Sequence, residues 1–248
     1  MNLCRKRCGL LIIGNEILSG KTVDTNSNFF CKELSNYGID VKEISVVSDE
    51  KKEIVRKVRE FSYAYDYVFT SGGIGPTHDD ITNSSMAKAF GRKLIYNKTA
   101  KELLSTHYEG DELTKARLKM TLLPADVVLI DNPVSIAPGY VIENVHVLPG
   151  VPSILKVMLT EFLKHRFKKN IKPQKTISTT LPEGVIGDFI ERIQMENKNV
   201  EIGSYPYFKN NNFGVSLVIR SDDSFLLKNV CDEIFQYLSL NCGNPKYF

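Results

Sequence analysis

Residues 70–82 read Thr-Ser-Gly-Gly-Ile-Gly-Pro-Thr-His-Asp-Asp-Ile-Thr, directly after the apolar run Tyr67-Val68-Phe69. A strand entering a glycine-rich turn lets backbone N–H groups approach a ligand, and a helix start beyond it favours an anion such as phosphate. The spacing predicts a helix over 79–90, with Asp79 and Asp80 in its first turn and Gly91 ending it. Adjacent carboxylates repel a bare phosphate but accept one carried with a divalent cation. Ser71, Gly72, Gly73 and Gly75 are thus the expected cradle, with the Ser71 hydroxyl as an added donor and Thr77 on the same loop. Asp79 and Asp80 are the expected metal ligands, with Thr82 close by. The competing explanation is structural: a tight turn needs glycine for positive φ, and aspartate caps helices. His78 can bind metal, contact phosphate or donate a proton, or simply face solvent.

Ligands of doubly wound sheets sit beyond the carboxyl ends of the strands. Gly14-Asn15-Glu16 leaves a first strand, so Gly14 and Glu16 are expected beside the glycine loop. Asp24-Thr25-Asn26 precedes a helix, where Asp24 is either an N-cap or a carboxylate that orients a water or a ribose hydroxyl. Asn132-Pro133-Val134-Ser135, Ala137-Pro138-Gly139 and Pro149-Gly150-Val151-Pro152 are turns that either only reverse the chain or add Ser135, Pro149 and Gly150 to the same crevice.

The elements that hold these loops alternate. Residues 8–13, 40–47 and 67–70 read as strands; 25–37 and 50–62 read as helices. Such order implies an α/β fold with a mainly parallel sheet in three layers. Residues 101–120 are expected to hold two short helices around Gly110-Asp111. Short strands follow at 127–130, 139–143 and 145–148, then a helix from Pro152 to about 165. A basic, polar stretch at 168–175 separates an expected first domain, 1–167, from a small βαββα domain, 175–248, with its hairpin turn at 209–212.

Composition narrows the partners. A net charge of +3 over 248 residues gives no case for nucleic acid or a membrane surface. No apolar run is long enough to span a bilayer, and Leu10 to Ile13 is too short for a signal-peptide core, so a cytoplasmic location is expected. The five cysteines, Cys4, Cys8, Cys31, Cys231 and Cys242, lack zinc-site spacing and read as thiols without a disulfide. His107, His146 and His165 show no metal spacing either.

The ordered series Glu16-Ile17-Leu18-Ser19-Gly20, Asp24-Thr25-Asn26, the 72–82 loop, Asn132-Pro133-Val134, Ala137-Pro138-Gly139 and Leu148-Pro149-Gly150-Val151-Pro152 resembles one family. It is similar to the competence/damage-inducible protein A (CinA) N-terminal domain family of the molybdopterin-binding (MoaB/Mog-like) superfamily, whose domain also occurs in eukaryotic FAD synthases. The likeness covers about residues 8–165; the tail, with Leu181-Pro182-Glu183-Gly184 and Ile202-Gly203-Ser204-Tyr205-Pro206, is similar to the small domain of short, stand-alone members.

The resemblance implies a pocket for a phosphorylated pterin or nucleotide, with molybdopterin among the ligands. It also implies hydrolysis of a dinucleotide pyrophosphate of the ADP-ribose or FAD class with Mg, Mn or Co, and homo-oligomeric assembly. Asp24, Asp79 and Asp80 are then the catalytic candidates, and Gly14, Glu16, Asn26, Ser71, Gly72, Gly73, Gly75, Thr77, Ser135, Pro149 and Gly150 the ligand contacts. A non-catalytic binding module uses the same residues. Ser135-Ile136 stands where longer members often carry Gly-Thr, and the bulkier Ile136 is expected to reshape the pocket. With neither the deamidase nor the reductase-like domain of longer relatives, deamidation of nicotinamide mononucleotide and adenylyl transfer to FMN are not expected.

Overall fold

Lys6–Ile13 sends alternate apolar side chains to opposite faces of a sheet, and both faces are covered. Cys8 and Leu10 pack with Phe30, Phe69, Leu155 and Met158 on one side. Leu11 and Ile13 pack with Ile54, Val58, Phe61 and Met86 on the other. Each fully buried side chain of this kind contributes roughly 1.5–3 kcal/mol. The computed structural model describes residues 5–108, 113–209 and 212–248. The described residues from Arg5 to Asn170 belong to one compact unit and those from Ile171 to Phe248 to the other.

The first unit runs β1 (Lys6–Ile13), α1 (Asn15–Leu18), α2 (Asn26–Ser35), β2 (Ile39–Val47), α3 (Lys51–Ala64), β3 (Tyr67–Ser71), α4 (Thr82–Ala89) and β4 (Leu94–Tyr96). It continues with α5 (Lys98–His107), α6 (Lys115–Lys119), β5 (Leu122–Pro124), β6 (Val128–Ile130), β7 (Gly139–Ile142), β8 (Val145–Leu148) and α7 (Pro152–Arg166). The main sheet has the order β2-β1-β3-β8-β7-β6. Its first three pairings are parallel, and β8–β7 and β7–β6 are antiparallel. Helices α2 and α7 supply the core on one face, and α3 and α4 that on the other. The chain leaves β1 toward β2 on one side and returns to β3 on the other, which makes the end of β1 a topological switch point.

The second unit comprises β9 (Gln174–Thr179), α8 (Glu183–Glu196), β10 (Glu201–Lys209), β11 (Asn212–Arg220), α9 (Ser224–Leu240) and β12 (Lys246–Tyr247). Its sheet, β10-β11-β9-β12, is antiparallel, and both helices pack their apolar faces on Ile177, Val215, Leu217 and Ile219. The architecture is a mostly parallel α/β unit followed by a small antiparallel α+β unit, in agreement with the sequence.

Several boundaries differ from expectation. The helix expected from 79 begins only at Thr82, because both aspartates fold back onto Thr77. Residues 15–18 form a helical turn where only a loop was expected. Strands β4 and β5 form a separate antiparallel pair of three residues each, too short to show a period. The expected break at Gly110-Asp111 and the tip of the 209–212 turn lie outside the described residues. Cys8, Cys31, Cys231 and Cys242 are free thiols. No helix among the described residues is long and apolar enough to cross a membrane.

His146, on β8, has a purely structural setting that carries a pH prediction. Its ring stacks on Phe69 at 4.4 Å, and Nδ1 lies 3.2 Å from the Val68 carbonyl oxygen, the distance of a neutral imidazole donating to that carbonyl. Burial pushes its pKa down to about 4, against about 6.5 for an unfolded histidine. The unfolded chain therefore binds the extra proton between those values, and stability falls as pH drops from about 6.5 to about 4. The expected loss approaches roughly 3 kcal/mol. Urea unfolding across this range should show an acid slope that His146→Phe flattens; an unchanged slope would contradict the assignment.

Candidate functional site

The loops at the carboxyl ends of β1, β2, β3 and β8, together with the β6–β7 connection, enclose a cavity of about 540 Å³. Its base is backbone. Gly72 and Gly73 adopt φ of +110° and +69°, and a Cβ on Gly72 would lie 2.2 Å from the Ile13 carbonyl oxygen. Gly72 N–H donates to the Leu148 carbonyl at 3.1 Å, and Thr82 N–H closes onto the Gly73 carbonyl at 3.0 Å. The N–H groups of Gly73, Ile74 and Gly75 donate to no described acceptor. Across the cavity, the 15-residue helix α7 begins at Pro152, and Gly150, Val151 and Ile154 line the wall at its N-terminus. Free amides on one loop and the positive end of a helix dipole on the other suit an anion.

The rim is acidic. Glu16, Asp49, Asp79 and Asp80 all line the cavity, and among the described residues no Lys, Arg or His lines it. Thr77 N–H and Oγ1 donate to Asp80 Oδ2 at 2.7 and 2.6 Å, and Oγ1 also reaches Asp79 Oδ1 at 2.5 Å. The Thr77 hydroxyl holds the Asp79 carboxyl below the usual carboxylate range, helped by its own amide and by the charges of His78 and Lys119. One oxygen of each aspartate stays outside the Thr77 bonds. A divalent cation bound through one or two carboxylates plus ligand phosphates fits this donor set. A cage made wholly of protein does not, since no group of three or more His, Cys, Asp or Glu converges among the described residues.

The sequence-derived candidates divide into two groups. Gly14, Glu16, Gly72, Gly73, Gly75, Thr77, Asp79, Asp80, Ser135, Pro149 and Gly150 come together on the cavity. Asp24, Asn26 and Ser71 do not line it. Asp24 Oδ1 accepts from the Asn26 and Ser27 amides at 3.0 and 3.1 Å, and Oδ2 accepts from the Ser27 hydroxyl, so Asp24 ties down the start of α2. Ser71 is 1 % exposed, so its hydroxyl is not the added phosphate donor expected from the sequence. It accepts from Asn26 Nδ2 at 2.9 Å and donates to the Pro149 carbonyl at 3.3 Å. Asn26 Nδ2 also donates to the Gly150 carbonyl at 2.8 Å, locking the two loops together from beneath. His78 does not line the cavity.

Sequence reasoning missed Asp49 and Asn132. Asp49 follows β2 and accepts from Asn15 N–H at 2.8 Å; the rule that sites lie beyond strand ends applied to β2 as much as to β1 and β3. Asn132 is buried and organises the β6–β7 connection. Its Oδ1 accepts from the Val134 and Ser135 amides, and its Nδ2 donates to Ser135 Oγ and the Ala137 carbonyl. That folding forces Ile136 to φ +66°, a region costly for a β-branched residue. Ile136→Gly is expected to raise the unfolding free energy by about 1 kcal/mol, read from the urea midpoint; a destabilised variant would show that the Ile136 side chain contributes more than its backbone costs.

A larger cavity of about 680 Å³ lies in the second unit, beside the start of α9. It has no glycine loop, and Lys172 on its wall is already paired with Glu201 at 2.8 Å.

Comparison with known proteins places this geometry. Residues 9–169 match the family described as probable molybdopterin binding domain, and residues 173–244 match the FAD synthase middle domain. A probable FAD synthase of Caenorhabditis elegans is 35% identical over 261 residues, covering 95% of this chain and 50% of its own length. The chain thus spans about half the length of that relative. A protein of Archaeoglobus fulgidus is 36% identical, covering 79% of this chain and 84% of its own. The crystal structure of the protein CinA with unknown function from Thermoplasma acidophilum superposes with a TM-score of 0.61 at 37% identity, over 65% of this chain and 98% of that one. The chain is therefore a CinA-like member of the molybdopterin-binding (MoaB/Mog-like) domain family.

Proposed function

We propose that the cavity binds a phosphorylated pterin or nucleotide and hydrolyses the pyrophosphate bond of a dinucleotide of the ADP-ribose or FAD class with a divalent metal. The observation that carries this is the opposition of unpaired backbone donors and an all-acidic rim. Gly73, Ile74 and Gly75 offer N–H groups to a diphosphate and the start of α7 its dipole, while Glu16, Asp49, Asp79 and Asp80 oppose it unless a cation accompanies it. Asp79 and Asp80 would hold Mg, Mn or Co through their free oxygens. The cation supplies charge neutralisation and a more acidic water. Glu16 stands on the cavity as the carboxylate to accept a proton from that water, in place of Asp24. The C. elegans relative's name and the FAD synthase middle-domain match of the second unit favour a flavin or adenine nucleotide over a free pterin.

A second reading has its own support. The Thr77 hydrogen bonds give both aspartates a structural task, which is what a non-catalytic molybdopterin or nucleotide module requires. Incubating the purified protein with ADP-ribose or FAD and Mg, Mn or Co separates the two. AMP release that chelation abolishes supports hydrolysis. Binding without AMP release under every metal overturns hydrolysis and leaves the module.

A further inference from the structure

The rim poses an electrostatic problem that its lining does not solve. Four carboxylates face the cavity without a cationic side chain among the described lining residues, and a diphosphate adds further negative charge that one divalent ion does not offset. One ammonium is nevertheless fastened to the wall. Lys119, the last residue of α6, donates from Nζ to the Thr77 carbonyl, on the residue that holds Asp79 and Asp80. The next residue, Met120, lines the cavity, so the end of α6 abuts the site. The charge of Lys119 also acts on the Asp79 carboxyl.

We propose that Lys119 is a specificity-determining residue that moves from the Thr77 carbonyl to a phosphate oxygen of the bound ligand. This rests on the reading of the cavity as a phosphate site. An ammonium carries three donors on a flexible four-carbon stem, and the one hydrogen bond to Thr77 is a modest one to exchange. A charge-assisted bond to phosphate is stronger than a bond to a neutral carbonyl, so the transfer is favourable once ligand arrives. The site would then select ligands with phosphate over their dephosphorylated counterparts.

The alternative is that Lys119 only stiffens the Thr77 turn and so helps Asp79 and Asp80 hold metal. The two differ in sign. A nearby cation repels a divalent metal, so Lys119→Met should leave Mn²⁺ affinity unchanged or tighter if Lys119 serves the ligand. The test is calorimetry with Mn²⁺ alone and then ADP-ribose, as its non-hydrolysable α,β-methylene analogue, at saturating Mn²⁺, on wild type, Lys119→Met and Lys119→Arg. The expected result is roughly 10–100-fold weaker ADP-ribose binding in Lys119→Met, unweakened Mn²⁺ binding, and partial recovery in Lys119→Arg. Unchanged ADP-ribose affinity in Lys119→Met, or parallel loss of Mn²⁺ and ADP-ribose binding, would overturn the assignment while leaving the cavity's role intact. Wild-type protein that binds no ADP-ribose with Mn²⁺ would overturn both.

Discussion

Replacing Asp79 and Asp80 together by alanine is expected to lower metal-supported AMP release from ADP-ribose or FAD by on the order of 10²–10³-fold, equivalent to roughly 3–4 kcal/mol of transition-state stabilisation. Asp79 is exposed and Asp80 half-buried, and the only other residue they hydrogen-bond among the described residues is Thr77. The double variant therefore removes the metal-binding oxygens without opening a buried void. Its folded stability should change little, because α4 starts two residues later and its first amide is held by Gly73 rather than by either aspartate. The single variants should be milder, since the remaining carboxylate still offers a free oxygen. Steady-state rates at saturating Mn²⁺, alongside urea unfolding of each variant, check the pair of expectations. Undiminished AMP release in the double variant would remove the aspartates from the chemistry.

Gly72→Ala is expected to cost about 3–5 kcal/mol of stability, from backbone overlap and a positive φ acting together. The added Cβ would meet the Ile13 carbonyl oxygen at 2.2 Å, and φ is +110°. The obstacle is main chain at the end of β1, which cannot rotate away as a side chain can, so β1 and β3 would have to part where the cavity begins. Gly91 provides the comparison: φ is +65° but nothing lies within 4 Å of a Cβ there, and Gly91→Ala should cost only about 1–2 kcal/mol. Denaturant midpoints of the two variants measured side by side should differ clearly. Equal costs would mean that the close approach of Gly72 to Ile13 is not what holds the loop.

The layered α/β framework is legible in the sequence because β1 and β3 carry the apolar runs Leu10–Ile13 and Tyr67–Phe69 and the helices between them carry clear periodicity. The glycine loop is legible for the same reason: it starts where β3 stops. Functions that depend on a distant partner were less accessible. Ser71 reads as a ligand donor in the sequence, but Asn26, 45 residues earlier, bonds its hydroxyl. Asp24 satisfied both a capping and a chemical role on paper, and Ser27 together with two amides fills its oxygens. Asp49 sits in Ser48-Asp49-Glu50-Lys51, where each polar residue suits a helix start, so nothing local marked it as part of the rim. Helix α4 begins late for an energetic reason: the carboxylates that would cap it are taken by Thr77, whose own amide joins in.

The acidic rim is expected to admit a phosphorylated ligand only with a divalent cation. The decisive measurement titrates the non-hydrolysable α,β-methylene analogue of ADP-ribose into the wild-type protein with Mn²⁺ and again with EDTA, in a calorimeter. Saturable binding is expected with Mn²⁺ and at least about tenfold weaker binding without it, because four carboxylates then face the diphosphate with no metal between them. Equal affinity in the two titrations would contradict it.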